Sequence, residues 1–195
     1  DAGHLVPVGG WQYESIDTSH ARVKAGDFVA GDMQREAMSR KVVGDVVGEW
    51  KAHAAGLRTV LFAVTVEHSQ AMVAAFTAAG VLAEHVDGET PAAERDAILA
   101  RLRAGVTLVC CNVGILSVGF DLPELEVAVL CRPTLSTALA LQQIGRILRP
   151  APGKVSARIH DHAGVLAAHG HPYSERDFSP QKSSRAERGD TEKPL

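Results

Sequence analysis

Runs dominated by apolar residues alternate with helical patterns from residue 58 to residue 162. The apolar runs have the length of strands buried on both faces, and five are predicted: 58–64, 81–86, 106–111, 126–131 and 155–162. Helical periodicity occupies residues 32–55, with one break at 39–41, and then residues 67–80, 90–105 and 139–149. Because strands alternate with helices and no hairpin turns join them, we predict an α/β fold with a mostly parallel central sheet, right-handed crossovers and flanking helices.

The helix that precedes Pro150 has two chemically different sides. Proline disfavours helical geometry at the residue before it, so this helix is expected to end near Arg149. Gln142, Arg146 and Arg149 fall at i, i+4 and i+7 on one side, and Gly145 directly precedes the first arginine. The opposite side is apolar and is expected to pack on the sheet: Leu141, Ile144 and Leu148. Taken alone, two arginines on a helix are most simply a solvated face.

Composition limits the classes of function that the chain can have. Of its 195 residues, 46% are hydrophobic and 5% aromatic, and the net charge is −3, so a contact with nucleic acid would have to be local. The three cysteines lie in apolar runs, which is typical of reduced core thiols in a cytosolic protein. No apolar run reaches membrane-spanning length, and the N-terminus does not have the pattern of a signal peptide. We therefore expect a cytoplasmic protein without membrane contacts, and the absent start methionine suggests a fragment.

Four consecutive predicted strands are followed by loops of small, polar or glycine residues. In an open parallel sheet, ligands bind at the carboxyl ends of the strands. The four loops are TVEHS (65–69), DGET (87–90), NVGILSVGFDLP (112–123) and RPTLST (132–137). Thr65 can cap a helix whose N–H groups could hold a phosphate. Each loop alone favours a structural interpretation, because any α/β domain needs caps and turns, whereas their order and spacing together favour a functional one.

Together these segments resemble the second RecA-like domain of superfamily 2 helicases and translocases. The similarity is greatest to bacterial and phage DEAD/DEAH-type proteins akin to the motor subunits of restriction enzymes. TVLFAVTVEHS resembles motif IV, HVDGETPAAERDAIL the glycine-turn segment after it, CCNVGILSVGFDLP motif V and QQIGRILRP motif VI. The resemblance implies a three-layer RecA-like fold of the P-loop NTPase type. Residues 1–31 would be an N-terminal connector with a short strand, residues 32–177 the second RecA-like helicase domain, and residues 178–195 a disordered polar tail.

In such motors ATP lies between two RecA-like domains, and the second domain supplies the arginines of motif VI. The resemblance therefore implies that Arg146 and Arg149 point at the γ-phosphate, with Gln142 orienting or coupling that contact. An arginine finger stabilises charge in the transition state of phosphoryl transfer. Gly119 and Asp121 of motif V would lie near the nucleotide, with Asp121 accepting a hydrogen bond from the ribose hydroxyl.

The resemblance also implies contacts with the backbone of a nucleic acid, and we expect DNA. Thr65, His68, Cys111 and Asn112 would lie toward that backbone, in contacts that carry no sequence information. Many relatives have threonine where this chain has Cys111, and a thiol is a much weaker hydrogen-bonding group. A phosphate contact from the Cys111 side chain would therefore be weaker than one from threonine.

Two parts of an ATP site are missing from the sequence. No segment resembles the phosphate loop G-x-x-x-x-G-K-[ST] or an acidic D-E-x-x box. The Mg²⁺ ligands are therefore expected from an N-terminal RecA-like domain of the same protein. We predict an ATP-dependent helicase or translocase in the intact protein, and a chain that by itself binds ATP weakly and does not hydrolyse it.

Three other hypotheses are weaker. His160, His162, His169 and His171 form two H-x-H pairs, but no cysteine or dense carboxylate set joins them, so surface or strand-end histidines are preferred to a metal site. A nucleophilic role for Cys110 or Cys111 is disfavoured by their position in an apolar run. The serious alternative is a non-catalytic RecA-like module that binds nucleic acid or a protein partner.

Overall fold

The computed structural model describes residues 5–13, 16–114 and 122–175. The strands are β1 (Val8–Gln12), β2 (Val23–Lys24), β3 (Asp27–Phe28), β4 (Thr59–Phe62), β5 (Ala83–Val86), β6 (Val109–Asn112), β7 (Val127–Leu130) and β8 (Ala157–Asp161). The helices are α1 (Ala30–Ala37), α2 (Arg40–His53), α3 (Val66–Ala78), α4 (Ala92–Arg103), α5 (Thr137–Gly145) and α6 (Val165–His169). None of the helices within these described ranges is long and apolar enough to cross a membrane.

Six strands form one sheet in the order β1-β8-β7-β4-β6-β5, and all their pairings are parallel. The five predicted strands are therefore confirmed, each a few residues shorter than its apolar run. The sixth, β1, lies in the segment 1–31, which was predicted as a connector with a short strand, and it pairs with β8 from Val8↔Ala157 to Gln12↔Asp161. The segment 1–31 thus supplies an edge strand to the sheet, and also the small antiparallel hairpin of β2 and β3.

Helices cover both faces of the sheet, which confirms the predicted three-layer architecture. Alternate residues of the central strand β4 face opposite layers, as the period of a strand requires. Val60 and Phe62 pack in one core with residues of α4, α5 and α6, and Leu61 packs in the other with residues of α2 and α3. All three side chains are buried. Because helices cover both faces of the sheet, every side chain of a central strand is buried. This explains why these strands have continuous hydrophobic runs without alternation of polar residues.

The predicted break in the first helical pattern separates α1 from α2. Ser39 has extended backbone geometry, and its hydroxyl accepts a hydrogen bond of 3.3 Å from the Val42 amide. A serine in this position satisfies one of the N–H groups that the first turn leaves without a helical partner. Helix α2 therefore begins anew at Arg40 instead of continuing α1.

Candidate functional site

Among the predicted site residues that the structure describes, the two arginines and those expected to contact nucleic acid lie at opposite edges of the sheet. Thr65 and Asn112 lie at the carboxyl ends of β4 and β6. Helix α5 starts after the carboxyl end of β7, and the turn that follows it lies beside the amino ends of β1 and β7. This position is fixed by two contacts: the Leu148 carbonyl accepts a hydrogen bond from the Val6 amide, and Lys154 bridges the carbonyls of Arg149 and Pro123. The structure thus separates the arginines from the residues expected to contact nucleic acid.

At the carboxyl edge, Thr65 forms the predicted helix cap. Its hydroxyl accepts a hydrogen bond of 3.2 Å from the His68 amide, and the side chain is half-buried. His68 itself is fully buried, and its Nδ1 accepts a hydrogen bond of 3.3 Å from the Val64 amide. Burial lowers the pKa of His68 to about 4, so the imidazole is neutral near pH 7. Within this chain, therefore, the His68 side chain positions the β4–α3 loop and does not reach the surface.

Cys111 and Asn112 at the end of β6 are also buried. The Asn112 side chain is 2% exposed, and its amide donates a hydrogen bond of 2.9 Å to the Leu61 carbonyl, which ties β6 to β4. Burial raises the pKa of Cys111 well above its usual range, and that of Cys110 to about 12. A thiol that stays protonated is neither a nucleophile nor a strong phosphate ligand. Of the four residues expected to face nucleic acid, only Thr65 presents side-chain surface.

A hydrogen-bonded chain of Ser69, His85 and Asp87 fixes the DGET loop. Ser69 Oγ lies 2.6 Å from His85 Nδ1, and His85 Nε2 lies 3.1 Å from Asp87 Oδ2. Asp87 Oδ1 also accepts hydrogen bonds from the amides of Glu89 and Thr90, at 3.0 and 2.9 Å. Burial works to raise the pKa of Asp87, but the hydrogen bonds from His85 and Thr90 hold it below its usual value. Ser69 is fully buried, so the chain is a support for the loop and not an exposed nucleophile.

The loop between β7 and α5 is held by a residue that sequence reasoning missed. Asp27, in β3, accepts hydrogen bonds from Thr134 Oγ1 at 3.0 Å and from the Leu135 amide at 2.8 Å, and it pairs with Arg132 at 3.4 Å. His169 Nε2 lies 2.8 Å from the Thr134 carbonyl on the other side. No local pattern marks Asp27, because its partners follow it by more than 100 residues.

Helix α5 ends earlier than predicted. It stops at Gly145, and the chain then tightens through hydrogen bonds from the Ile147 amide to Ile144 and from the Leu148 amide to Gly145. Such three-residue spacing is common where the last turn of a helix tightens. Arg146 therefore caps the helix, and Arg149 lies beyond it, so the prediction that both arginines project from the helix was wrong. Both side chains are half-buried, whereas Gln142 is exposed.

The buried side of α5 also differs from the prediction. The side chains that face the core are Ala140, Gln143, Ile144, Ile147 and Leu148. Leu141, which was predicted to face the core, is only half-buried. Gln143 is buried there instead. A Cβ at Gly145 would meet no described atom within 4 Å, so this glycine is not a point of close approach between the helix and the sheet. The glycine instead faces open space beside Arg146.

The strand histidines belong to an aromatic cluster rather than to the surface. His160 and His162 are 0% and 3% exposed, and His162 stacks on Tyr13 with ring centroids 4.3 Å apart. Burial, with smaller contributions from His53 and Arg158, lowers the pKa of His160 to about 4; burial and then His160 lower that of His162 to about 3. In the described part of the chain, no group of three or more histidine, cysteine or acidic side chains could hold a metal ion. Gly119 and Asp121 lie outside the described residues.

The chain is similar to known proteins in both sequence and structure. The family described as the helicase conserved C-terminal domain matches residues 40–151, more than half of the chain. A 51.5 kDa protein of a Lactococcus phage is 40% identical over 174 residues, which cover 89% of this chain and 38% of that protein. A Saccharomyces cerevisiae protein named as a candidate ATP-dependent helicase, IRC3, is 32% identical over 153 residues, or 76% of this chain and 22% of the relative. The chain thus spans less than two fifths of the length of either relative.

Solved structures share the fold at lower identity. A fragment of a candidate HsdR subunit of a type I restriction enzyme from Vibrio vulnificus has a TM-score of 0.66 and 19% identity, covering 89% of this chain and 36% of that one. The ATP-dependent type ISP restriction-modification enzyme LlaBIII, in a structure bound to DNA, has a TM-score of 0.57 and 21% identity over 82% of this chain and 12% of that one.

Proposed function

Because the chain belongs to the family of the helicase conserved C-terminal domain, we propose that it is the C-terminal motor domain of an ATP-dependent helicase or translocase. In this proposal, Arg146 and Arg149 act on an ATP molecule bound by a second, N-terminal RecA-like domain. The alternative is a RecA-like module of the same family that binds nucleic acid or a protein without taking part in ATP hydrolysis.

The observation that carries the proposal is the arginine turn, which we define as residues 146–150. It places two half-buried guanidinium-bearing residues at the amino edge of the sheet, next to the exposed Gln142 and the open face of Gly145. A guanidinium stays charged and presents a planar set of donors that matches phosphate oxygens. The turn is thus a suitable donor of positive charge to a phosphate held by another domain.

The guanidinium groups of Arg146 and Arg149 can donate hydrogen bonds to the phosphates of ATP, but they cannot bind the magnesium ion, which needs oxygen ligands. Among the described residues no cluster of acidic or histidine side chains has the composition of a metal site, so we propose that the Mg²⁺ ligands belong to the N-terminal domain. Bound ATP would supply the phosphoryl group, and the two arginines would stabilise the charge that develops on its oxygens. Asp121, which precedes Leu122 and Pro123, is proposed for the ribose contact and Gly119 for the backbone near the nucleotide.

Nucleic acid is proposed to bind at the opposite, carboxyl edge. Thr65 presents its half-buried hydroxyl there at the start of α3, where free N–H groups favour an anion. The buried side chains next to Thr65 would stabilise this edge without contacting the nucleic acid: His68, Cys111 and Asn112. The structure of LlaBIII bound to DNA supports DNA as the nucleic acid. We also propose a cytoplasmic location, on the basis of three buried free cysteines.

The test is a substitution series in the intact motor, which contains this chain and the phosphate-binding domain. Arg146→Ala and Arg149→Ala should each lower the rate of DNA-stimulated phosphate release, by about 10³-fold for the residue that acts as the finger. DNA affinity should change little, because the arginine turn and Thr65 lie at opposite edges. Arg101→Ala is the matched control, since Arg101, in α4, forms an exposed ion pair with Glu84. Normal turnover in both arginine variants would favour the non-catalytic module.

A further inference from the structure

Lys154 bridges two segments that are far apart in the sequence. It lies between the arginine turn and β8, and its Nζ donates hydrogen bonds of 2.9 Å to the Pro123 carbonyl and 2.8 Å to the Arg149 carbonyl. An ammonium group has three donors and no acceptor, so it can hold two carbonyl oxygens at once. The Lys154 side chain thereby joins the residues just before β7 to the end of the arginine turn.

The arginine turn is held from a second side as well. The carbonyl of Leu148, the residue directly before Arg149, accepts a hydrogen bond of 2.9 Å from the Val6 amide. The side chain of Leu148 is buried in the same core as Ile147. Two successive carbonyls are therefore fixed by partners from different parts of the chain, and Lys154 holds the one that belongs to Arg149 itself.

A cation in this position is costly for the fold. Lys154 is half-buried, and burial lowers its pKa to about 8, although Glu126 and Glu124 act in the opposite direction. A methionine would fill similar space without the cost of desolvating a charge. A methionine would, however, leave the Pro123 and Arg149 carbonyls without this donor, so the cation fixes the backbone of Arg149 at the cost of desolvating a charge.

We propose that Lys154 is a positioning residue for Arg149: by fixing the Arg149 carbonyl against Pro123, it sets the direction in which the guanidinium leaves the turn. This inference rests on the proposed function, in which Arg149 acts on the phosphates of ATP. Lys154 acts through the backbone of Arg149 and does not contact the nucleotide. A displacement of a catalytic group by about 1 Å can lower a rate by about 10²-fold, so loss of the bridge has a measurable effect.

The experiment compares Lys154→Met and Lys154→Arg in the intact motor, with kcat and KM for ATP measured for both. Lys154→Met should lower kcat by about 10-fold to 10²-fold and change KM much less. Lys154→Arg should retain most of the turnover, because a guanidinium can also donate to two carbonyls. Lys51→Met is the matched control, because Lys51, in α2, also donates a hydrogen bond from Nζ to a backbone carbonyl. Its acceptor is Ala79 at 3.0 Å, away from the arginine turn. Lys154→Gln, which keeps an N–H donor without the charge, replaces Lys154→Met if the latter does not fold.

A double-variant cycle separates positioning from a merely structural role. If Lys154 acts through Arg149, Lys154→Met should add no further loss of kcat in an Arg149→Ala background. Equal losses in both backgrounds, or normal kcat in Lys154→Met, would overturn the inference while leaving the proposed function intact. Normal kcat in Arg149→Ala alone would instead remove Arg149 from the proposed function, and the inference with it.

Discussion

Asp27 and Thr134 are joined by a hydrogen bond of 3.0 Å across 107 residues of sequence. The same carboxylate accepts a hydrogen bond from the Leu135 amide and pairs with Arg132. The small hairpin near the N-terminus is thereby attached to the loop from which α5 begins. Thr134 Oγ1 also accepts a hydrogen bond of 3.0 Å from the Ser136 amide, and Ser136 Oγ accepts one of 3.2 Å from the Leu139 amide as the cap of α5. Asp27 thus holds the loop from which that cap is presented.

Asp27→Asn should therefore destabilise the chain. The substitution replaces one acceptor oxygen by an NH₂ group, which then faces N–H and O–H donors. The loss of bonds to a charged group predicts a free energy of unfolding lower by about 1–3 kcal/mol. Denaturant unfolding of the isolated chain measures this change. Asp17→Asn is the control, because Asp17 is exposed and its contacts, with the Ser19 amide and with His20, are local. An equal effect of both substitutions would contradict the assigned role of Asp27.

Acid should destabilise the chain through its buried histidines. The pKa values of His68, His160 and His162 in the fold, about 4, 4 and 3, lie below the value of about 6.5 that an unfolded histidine has. Between these values the unfolded chain binds more protons, so stability is fully present above pH 6.5 and is lost as the pH falls toward 4. Each histidine should contribute a loss of about 2 kcal/mol between pH 7 and pH 5.

His162→Phe isolates one of these contributions, because phenylalanine preserves the stacking on Tyr13 and cannot be protonated. The difference in the free energy of unfolding between pH 7 and pH 5 should be smaller in this variant by about 2 kcal/mol. His20→Phe is the control at an exposed histidine. If both variants keep the pH dependence of the unsubstituted chain, protonation of His162 does not cause the acid sensitivity.

The sequence predicted those parts of the fold that depend on local pattern. The strands β4 to β8 form from apolar runs, and the break before α2 follows from a serine that can cap a helix. A short strand was expected within residues 1–31, but the sequence VGGWQ of β1 marks neither its bounds nor its partner, and the strand forms because its backbone pairs with β8. The pairing partner of an edge strand is set by the rest of the sheet and cannot be read from five residues.

The candidate site was predicted less completely, because it too depends on contacts between residues that are distant in sequence. Spacing placed Gln142, Arg146 and Arg149 together, but the early end of α5 depends on bonds of the following turn to Val6 and Lys154. The burial of His68, Cys111 and Asn112 depends on helices that cover both faces of the sheet. Contacts such as those of Asp27 and Lys154 join residues that are distant in sequence, so a pattern read along the chain does not contain them.

The isolated chain should not hydrolyse ATP. It contains the residues proposed to stabilise charge, but no segment with the pattern of a phosphate loop. A phosphate-release assay with DNA present should give no rate above that of a chain with Arg146→Ala and Arg149→Ala together. Addition of the phosphate-binding domain should restore hydrolysis in the unsubstituted chain only. Steady hydrolysis by the chain alone, abolished in the double variant, would show that a complete ATP site lies within it.

Gly145 should matter to the motor but not to the fold of this chain. Its backbone is helical, with no positive φ, and a Cβ would meet no described atom within 4 Å. Gly145→Ala should therefore raise the free energy of unfolding of the isolated chain by about 0.5–1 kcal/mol, because alanine loses less conformational freedom in a helix. In the intact motor the added methyl group would occupy space between Gln142 and Arg146, where the proposed partner domain approaches, so kcat should fall.

Gly48→Ala is the matched control for this substitution. Gly48 lies in α2, is exposed, and a methyl group added to its Cα would likewise meet no described atom within 4 Å. Gly48→Ala should stabilise the chain by a similar amount and leave kcat unchanged, because α2 covers the sheet away from the arginine turn. If Gly145→Ala also leaves kcat unchanged, the space beside Arg146 is not an interface with the partner domain. The arginine turn must then contact the phosphate from a different side.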